Sequence, residues 1–459
     1  MKKKQPALRA LLKESLLATM LVFFVFWILF LVISMSFKPF NFVAKAIKDV
    51  NLTDFYFSDL QSPGADTNII LVNIEDLGRK DIAALIDKIY QANPAVIGLD
   101  VFFSADKDSI ADPLLFGSIR KADDKLVMAG FYDEENKTFN NDYKTFAGSL
   151  YGHANIMTNE DRTEVVRKFK PAYQAADTPI LSFSSLVARK YSHAAFDKLT
   201  RRANKTEYIN YKGNKNTYQL VNHREIMNNA LVDISFLKNK IVMIGFLGGK
   251  TKSTEDFNDI FYTPVNKHYY GKALPDMYGL VIHANIVSMI LKENYIWQPP
   301  SWLVFIFSFI ITFLHIVPFI YFYVNRHLWY HVFVKTGQLL SFSIILLIVF
   351  LIFKNIGVLI PTKYILLPVI LAADILYLYE TLAVLIYKKT GIKSIFIHGH
   401  EKEEVLAKPV AVNTMPVTPV LETPVPVTPK EMALEVKEPI HEKIVAIAEV
   451  KPNNEHEKS

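Results

Sequence analysis

The chain has 459 residues, of which 51% are hydrophobic, and its formal net charge at pH 7 is +6. It contains no cysteine, which excludes disulfides, thiolate metal sites and cysteine nucleophiles. The net charge is too small for this length to indicate nucleic-acid binding, and the composition is typical of a membrane protein with a folded water-soluble part.

The first predicted element is a membrane-spanning helix over residues 15–37, a segment without charged residues. A bilayer core requires about 20 apolar residues of helix, so this segment is long enough to cross it. The preceding segment 1–14 is basic, and positive flanks stay in the cytoplasm, which places the N-terminus inside. A cleaved signal peptide is the alternative, although only Ser34-Met35-Ser36 resembles a cleavage site.

Residues 40–300 are predicted to form one extracytoplasmic domain. Its short apolar runs at 68–74, 95–101, 125–131 and 240–246 do not alternate apolar with polar residues. Continuous runs of this kind are typical of strands that are covered on both faces, as in a parallel sheet. Because amphipathic helical patterns lie between the runs, the sequence predicts an α/β layered domain with a mostly parallel sheet.

Acidic residues lie at the carboxyl ends of the first two predicted strands. Glu75 and Asp76 come after the first strand, and Asp100 lies within the second. Ligands of open parallel sheets gather at the carboxyl ends of the strands, so these carboxylates are candidates to hold a cation or an amine. In the alternative interpretation, Asp76 caps the next helix and Asp100 bonds to a neighbouring turn. His283 and Asn285 share a later helix, where a lone histidine is more often structural than a ligand.

Motifs of catalysis are not found. The segment "KIVMIGFLGGKT" (240–251) resembles a phosphate-binding loop, but that motif requires glycine at the position of Ile244. The sequence has no Gly-x-Ser-x-Gly elbow, no His-Glu-x-x-His motif and no histidine–carboxylate spacing that specifies a transition metal. We therefore expect no enzymatic activity, no cofactor and no metal.

Three apolar segments follow the domain, at 302–324, 336–353 and 364–387. Lysines beginning at Lys388 follow the last of them, which places the C-terminus in the cytoplasm. The predicted topology is one transmembrane helix before the domain and three after it, with both termini in the cytoplasm.

Three polar residues lie within these predicted spans. Asp374 falls near the middle of the last span, where a charge costs about 2.5–3.5 kcal/mol on insertion scales, so it is expected to face a partner or water. His315 is a candidate partner for Asp374, and Glu380 lies nearer the cytoplasmic end, from which it can snorkel. Ordinary hydrogen bonding between helices is the alternative role of these residues.

Residues 388–459 are predicted to be a cytoplasmic, largely disordered tail. Beyond Glu401 it is rich in Pro, Val, Thr, Glu and Lys and has no aromatic residue to build a core. Two "PVTP" repeats, at 416–419 and 426–429, are either docking motifs or parts of a solvated spacer. The segment after Lys393 is too short for a cyclase or kinase catalytic domain, so signalling is expected to need a separate polypeptide.

Six motifs follow one another over most of residues 45–300: "IILVNIED", "PAVIGLDVFFSADKD", "GHANIMTNEDRTEVVRKFKPAY", "LKNKIVMIGF", "EDFNDIFYTPV" and "MYGLVIHANIVSMIL". Their order resembles that of the CHASE domain of type 2, a cyclase/histidine-kinase-associated sensory extracellular domain. It implies an extracytoplasmic ligand-sensing module of a bacterial envelope protein in the inner (plasma) membrane, with one span before the domain and three after it. The resemblance carries no defined ligand. The matching motif positions are Asp76, Asp100, Asn155, Arg167, Asp256, Thr263, Pro264, His283 and Asn285, and all of them except Pro264 are candidate ligand-binding residues.

The resulting hypothesis is an integral membrane sensor that binds a small molecule or peptide outside the cell membrane and signals through a separate effector or envelope protein. A structural or scaffold subunit of an envelope complex is one alternative. Others are an extracytoplasmic hydrolase or metal-binding enzyme that uses Glu75, Asp76 and Asp100, and a transporter.

Overall fold

The structure is a computed structural model. It describes residues 8–34, 52–59, 64–103, 109–140, 150–158, 164–174, 178–227, 233–249, 259–266, 274–325 and 327–397. The candidate residue Asp256 and the predicted tail beyond residue 397 lie outside the described residues.

Thirteen strands are found in the described part of the chain. They are β1 (Asp66–Asn73), β2 (Val96–Asp100), β3 (Leu126–Asp133), β4 (Thr138–Asn140), β5 (Tyr151–His153), β6 (Lys168–Phe169), β7 (Ala172–Tyr173), β8 (Ile180–Leu181), β9 (Glu207–Tyr208), β10 (Tyr218–Asn222), β11 (Ile241–Gly245), β12 (Ile260–Phe261) and β13 (Met277–Tyr278). Seven of them form the main sheet in the order β10-β1-β11-β2-β3-β4, with β5 also paired to β3. All pairings in this sheet are parallel except that of β3 with β4.

Seven helices surround this sheet in the described residues. They are α2 (Leu52–Ser58), α3 (Arg79–Gln91), α4 (Ala111–Lys121), α5 (Phe183–Tyr191), α6 (His193–Arg201), α7 (His223–Met227) and α8 (Gly279–Lys292). One apolar core lies between the sheet and α3, α4 and α7, and a second lies between the opposite face and α5, α6 and α8. The domain is therefore a three-layer α/β structure, as the apolar runs predict.

The central strand β11 shows why those runs do not alternate. Ile241 and Met243 are buried in the core next to α5 and α8, whereas Val242 and Ile244 are buried in the core next to α3. Burial of each such side chain contributes about 1.5–3 kcal/mol. A strand that faces water on one side would have polar residues at every second position.

The helix α3 begins differently from one of the sequence-based alternatives. Its N-cap is Gly78, without a side-chain cap, so Asp76 does not cap this helix. Its predicted apolar face is present, because Ile82, Leu85 and Ile86 are all buried.

Four apolar helices are long enough to cross a membrane: α1 (Leu8–Ser34), α9 (Ser301–Asn325), α10 (His327–Ile356) and α11 (Lys363–Thr390). The arrangement of one such helix before the domain and three after it agrees with the prediction. The helices extend beyond the apolar segments because a helical hydrogen-bond ladder does not stop where the hydrophobicity ends.

The helices α1, α9 and α11 pack against one another around a shared apolar core. The carbonyl of Tyr364 lacks its usual helical donor because Pro368 has no N–H, and the hydroxyl of Ser308 donates to that carbonyl at 2.5 Å. Helix α10 lies at the side of this group, and its end meets the soluble domain, where Phe353 belongs to the core next to α5 and α8.

Candidate functional site

A cleft of about 2250 Å³ lies between the carboxyl edge of the main sheet and the ends of the membrane helices. The domain side of the cleft is formed by residues that end or follow β1, β2, β3, β5 and β11, which are Asp76, Asp100, Phe102, Phe131, Tyr132, Asn155 and Phe246. The membrane side is formed by Phe23 and Phe26 of α1, Val304 and Phe305 of α9, and Lys363 and Tyr364 of α11. The cleft thus has a polar wall on the domain and a largely apolar floor on the spans.

The structure brings five of the eight candidate ligand-binding residues to this cleft: Asp76, Asp100, Asn155, Arg167 and His283. Thr263 and Asn285 are buried elsewhere in the domain, and neither lines the cleft.

Asp100 ends β2 and lies on the cleft wall with its side chain half-buried. Its carboxylate has no hydrogen-bond or ion-pair partner within the described ranges. Burial without a compensating partner raises the pKa of Asp100 to about 7. The strand end therefore presents to the cleft an acidic group that no described residue pairs with or donates a hydrogen bond to.

The other two carboxylates of the predicted acidic group have different surroundings. Asp76 is exposed on the cleft wall. Glu75 has a left-handed backbone conformation, with φ of 48°, and its carboxylate accepts hydrogen bonds from Asn222 and Arg224. Because Glu75 is engaged with β10 and α7, a site of three carboxylates is not formed.

Two residues of the "GHAN" motif hold the cleft wall in place. The side chain of Asn155 accepts from the backbone N–H of Tyr132 at 2.9 Å and donates to its carbonyl at 2.7 Å. At Gly152, a Cβ atom would come within 2.6 Å of the backbone of Phe183, so β5 approaches helix α5 too closely for a side chain. Both residues position the wall rather than offer free groups to a ligand.

Arg167 is tied to a residue that the sequence did not single out. Its guanidinium donates to both carboxylate oxygens of Asp54 on α2, at 2.9 and 2.5 Å, and 12% and 8% of the two side chains are exposed. A bidentate ion pair of this kind fixes the orientation of the two side chains as well as the distance between them. The wall of the cleft is thus fastened to the helix that precedes β1.

His283 lies behind the wall, on α8. Its Nδ1 is 2.9 Å from the hydroxyl of Ser184, and its ring packs edge-on against Phe183. Burial lowers the pKa of His283 to about 4, so the ring is neutral near pH 7. The geometry is that of a hydrogen-bonded core histidine.

The two candidate residues away from the cleft have structural partners. Thr263 donates from its backbone N–H and its hydroxyl to Asp276, whose pKa burial raises to about 6. The amide of Asn285 is fully buried, accepts from the backbone N–H of Lys212 and donates to the carbonyls of Gly213 and Val281.

A second group of wall residues was not predicted from the sequence. Tyr132 and Tyr173 stack with ring centroids 4.5 Å apart, and Glu134 accepts from the Tyr173 hydroxyl and from Lys170. The ammonium of Lys168 lies 4.5 Å from the ring centroid of Tyr208. The β6–β9 segments that carry three of these residues are only two residues long, so no periodic pattern marks them.

The polar residues of the spans are arranged differently from the expectation. His315 bonds to the carbonyl of Ile311 in its own helix, not to Asp374. Asp374 lies 4.0 Å from Lys335 of α10, and Glu380 accepts from the hydroxyl of Tyr323. The ring of His315 thus contacts the preceding turn of its own helix at 2.7 Å, and the expected pair of His315 with Asp374 is not found.

Comparison with known proteins gives one family match. A family model described as CHASE2 domain matches residues 23–317. This family is a sensory domain family and not a catalytic one. No curated protein and no solved structure matches the chain. In the part of the chain that the structure describes, no three His, Asp or Glu residues are grouped to hold a metal ion. Because the family match spans more than half of the sequence and agrees with the α/β domain and the apolar helices around it, the chain belongs to the CHASE2 domain family.

Proposed function

We propose that this protein is a multi-pass sensor of the bacterial inner membrane whose CHASE2 domain lies outside the cytoplasm and binds a small molecule or peptide in the cleft. Family membership supports a sensory role, and the four apolar helices support membrane association. The basic segment 1–14 and the lysines after α11 support cytoplasmic termini.

The observation that carries the proposal is the composition of the cleft. Its wall belongs to the carboxyl ends of the strands, and its floor belongs to α1, α9 and α11. A ligand that fills the cleft contacts both the domain and the spans, so its affinity differs between arrangements in which the domain is oriented differently on the spans. A sensor requires a ligand to bind one of two arrangements more tightly than the other.

The charges on the wall indicate the chemistry of the ligand. The basic residues of the wall have partners of their own, since Arg167 pairs with Asp54 and Lys170 with Glu134, while Lys168 lies against Tyr208. Asp100 has none among the described residues. We therefore propose that the ligand carries a cationic or hydrogen-bond-donating group for Asp100, next to an apolar part.

A continuous set of contacts leads from the wall to the membrane. Arg167 holds Asp54 on α2, and the neighbouring Tyr56 and Phe57 pack edge-on against Phe353 of α10, with centroids 5.2 and 5.9 Å apart. A shift of the wall on ligand binding is expected to move α2 and with it the end of α10. From there we propose that the change passes to a separate partner polypeptide.

The proposal is tested with the full-length protein in lipid nanodiscs and a panel of amines, cationic peptides and uncharged analogues. Compounds that raise the melting temperature of the wild type are expected to lose this effect in Asp100→Asn. They should keep it in Asp87→Asn, which changes a carboxylate on α3 that bonds to Ser118 and Lys121 away from the cleft. Equal stabilisation of both variants would refute the role of Asp100. No stabilisation by any compound, together with a permanent stoichiometric partner, would favour the scaffold alternative.

A further inference from the structure

An ion pair lies on the outer surface of the membrane helices. Lys335 of α10 and Asp374 of α11 are 4.0 Å apart, and 65% and 69% of their side chains are exposed. An exposed pair on a water-soluble domain would be ordinary, but both helices are apolar spans. The surrounding medium for this pair is therefore lipid, unless another protein covers it.

The depth of Asp374 makes exposure to lipid costly. It follows the first residue of α11 by 11 positions, which at about 1.5 Å per residue places it about 16 Å along the helix. The bilayer core is about 30 Å thick, so this is near its middle. Lys335 can extend its long side chain toward the membrane surface, whereas the short side chain of Asp374 cannot.

The neighbourhood of the pair is also polar. His331 stacks on Tyr377 beside it, and Thr381 is exposed one turn further along α11. The lipid-facing side of α9 is different, since its exposed residues include Ile310 and Leu314. The polar surface of α10 and α11, comprising His331, Lys335, Asp374, Tyr377 and Thr381, is thus a local feature and not a general property of the spans.

We propose that this polar surface is the interface with a second copy of the same chain. A surface that carries two opposite charges side by side is complementary to a second copy of itself. When a twofold axis relates the two copies, Asp374 of each copy contacts Lys335 of the other. Such an arrangement gives each charge two oppositely charged neighbours and removes it from lipid. The inference does not depend on the cleft or on its ligand.

The natural absence of cysteine makes the first test direct. Leu378→Cys places a thiol on the Asp374 face of α11, about 22 Å along that helix, and Leu314→Cys places one about 20 Å along α9. In the wild-type background these leucines are 44% and 61% exposed. Oxidation in native membranes is expected to give disulfide-linked dimers of Leu378→Cys and none of Leu314→Cys. Equal cross-linking at both positions, or capture of a different protein at 378 alone, would overturn the assignment.

The second test separates pairing within one chain from pairing between chains. Asp374→Lys and Lys335→Asp, each added to Leu378→Cys, are expected to lose the dimer when expressed alone, since like charges then meet across the axis. Co-expressed with different tags, they should form the mixed dimer, in which every charge again meets its opposite. Recovery of the mixed dimer also shows that both variants fold. Failure of the co-expressed pair to cross-link, or undiminished dimers of either variant alone, would refute the interface.

Discussion

Replacing Asp100 by asparagine is expected to stabilise the protein in a pH-dependent way. The unfolded chain holds this proton with a pKa near 3.8, and burial raises the pKa of Asp100 in the folded protein to about 7. Between these values the folded state keeps a proton that the unfolded state has released. Stability from this group is therefore complete below pH 3.8 and is lost as the pH rises toward 7.

The size of the effect follows from the two pKa values. A difference of about 3 pH units at about 1.36 kcal/mol each gives about 4 kcal/mol, which is an upper limit because water reaches part of the side chain. Asparagine cannot ionise and keeps the shape. We expect Asp100→Asn to be more stable than the wild type at pH 8, by up to this amount, and equal to it at pH 4.

Pulse proteolysis in a urea series, with the full-length protein in nanodiscs, measures the free energy of unfolding of the domain at each pH. Asp76→Asn serves as the control, because this carboxylate lies exposed on the same wall and its loss should leave stability unchanged. A difference between Asp100→Asn and the wild type that stays constant from pH 4 to 8 would show that burial of the charge is not its cause. A destabilised Asp100→Asn at pH 8 would show that the carboxylate already has a partner.

Three further substitutions test the structural roles of motif residues by the same unfolding measurement. Arg167→Met is expected to cost about 3–5 kcal/mol, because it removes the guanidinium that pairs with the buried carboxylate of Asp54, and adding Asp54→Asn should restore part of the loss. Asn285→Ala should cost at least about 1–3 kcal/mol by leaving buried backbone groups without partners, and a neutral effect would contradict the hydrogen-bond geometry. Gly152→Ala should cost at least about 1–3 kcal/mol, since its methyl group meets the backbone of Phe183, and unchanged stability would mean that β5 can move away from α5.

The layered fold could be predicted from the sequence because each buried strand is marked by a short run of consecutive apolar residues. The runs around Leu71 and Met243 are apolar at every position, and the structure buries alternate residues of each run in opposite cores. The four membrane-spanning helices could also be predicted, since the length and mean hydropathy of a chain segment are enough to identify them.

The cleft was only partly predictable, because its contacts join distant parts of the chain. The carboxyl ends of strands gather at one edge, so Asp76 and Asp100 were placed correctly from the strand pattern alone. The partner of Arg167 lies 113 residues away in a short helix, and no periodicity links the two positions. Asn285 was a candidate ligand-binding residue because it matches a motif position of the family, yet its side-chain amide donates a hydrogen bond to the backbone carbonyl of Gly213.

The contact between Phe353 and the domain core limits how this domain can be transferred between proteins. The backbone N–H of Trp297 donates to the carbonyl of Gly357 at 3.0 Å, and the carbonyl of Trp297 accepts from the backbone N–H of Leu359 at 2.8 Å. These two hydrogen bonds join the chain after α10 to the extended segment before α9. Leu359 and Phe353 both lie in the core next to α5 and α8. A fragment that ends at residue 300 would leave an apolar groove where these two side chains belong. A functional chimaera must therefore exchange residues 353–359 together with the domain. Because Phe353 belongs to α10, the end of the third span has to be transferred with the domain.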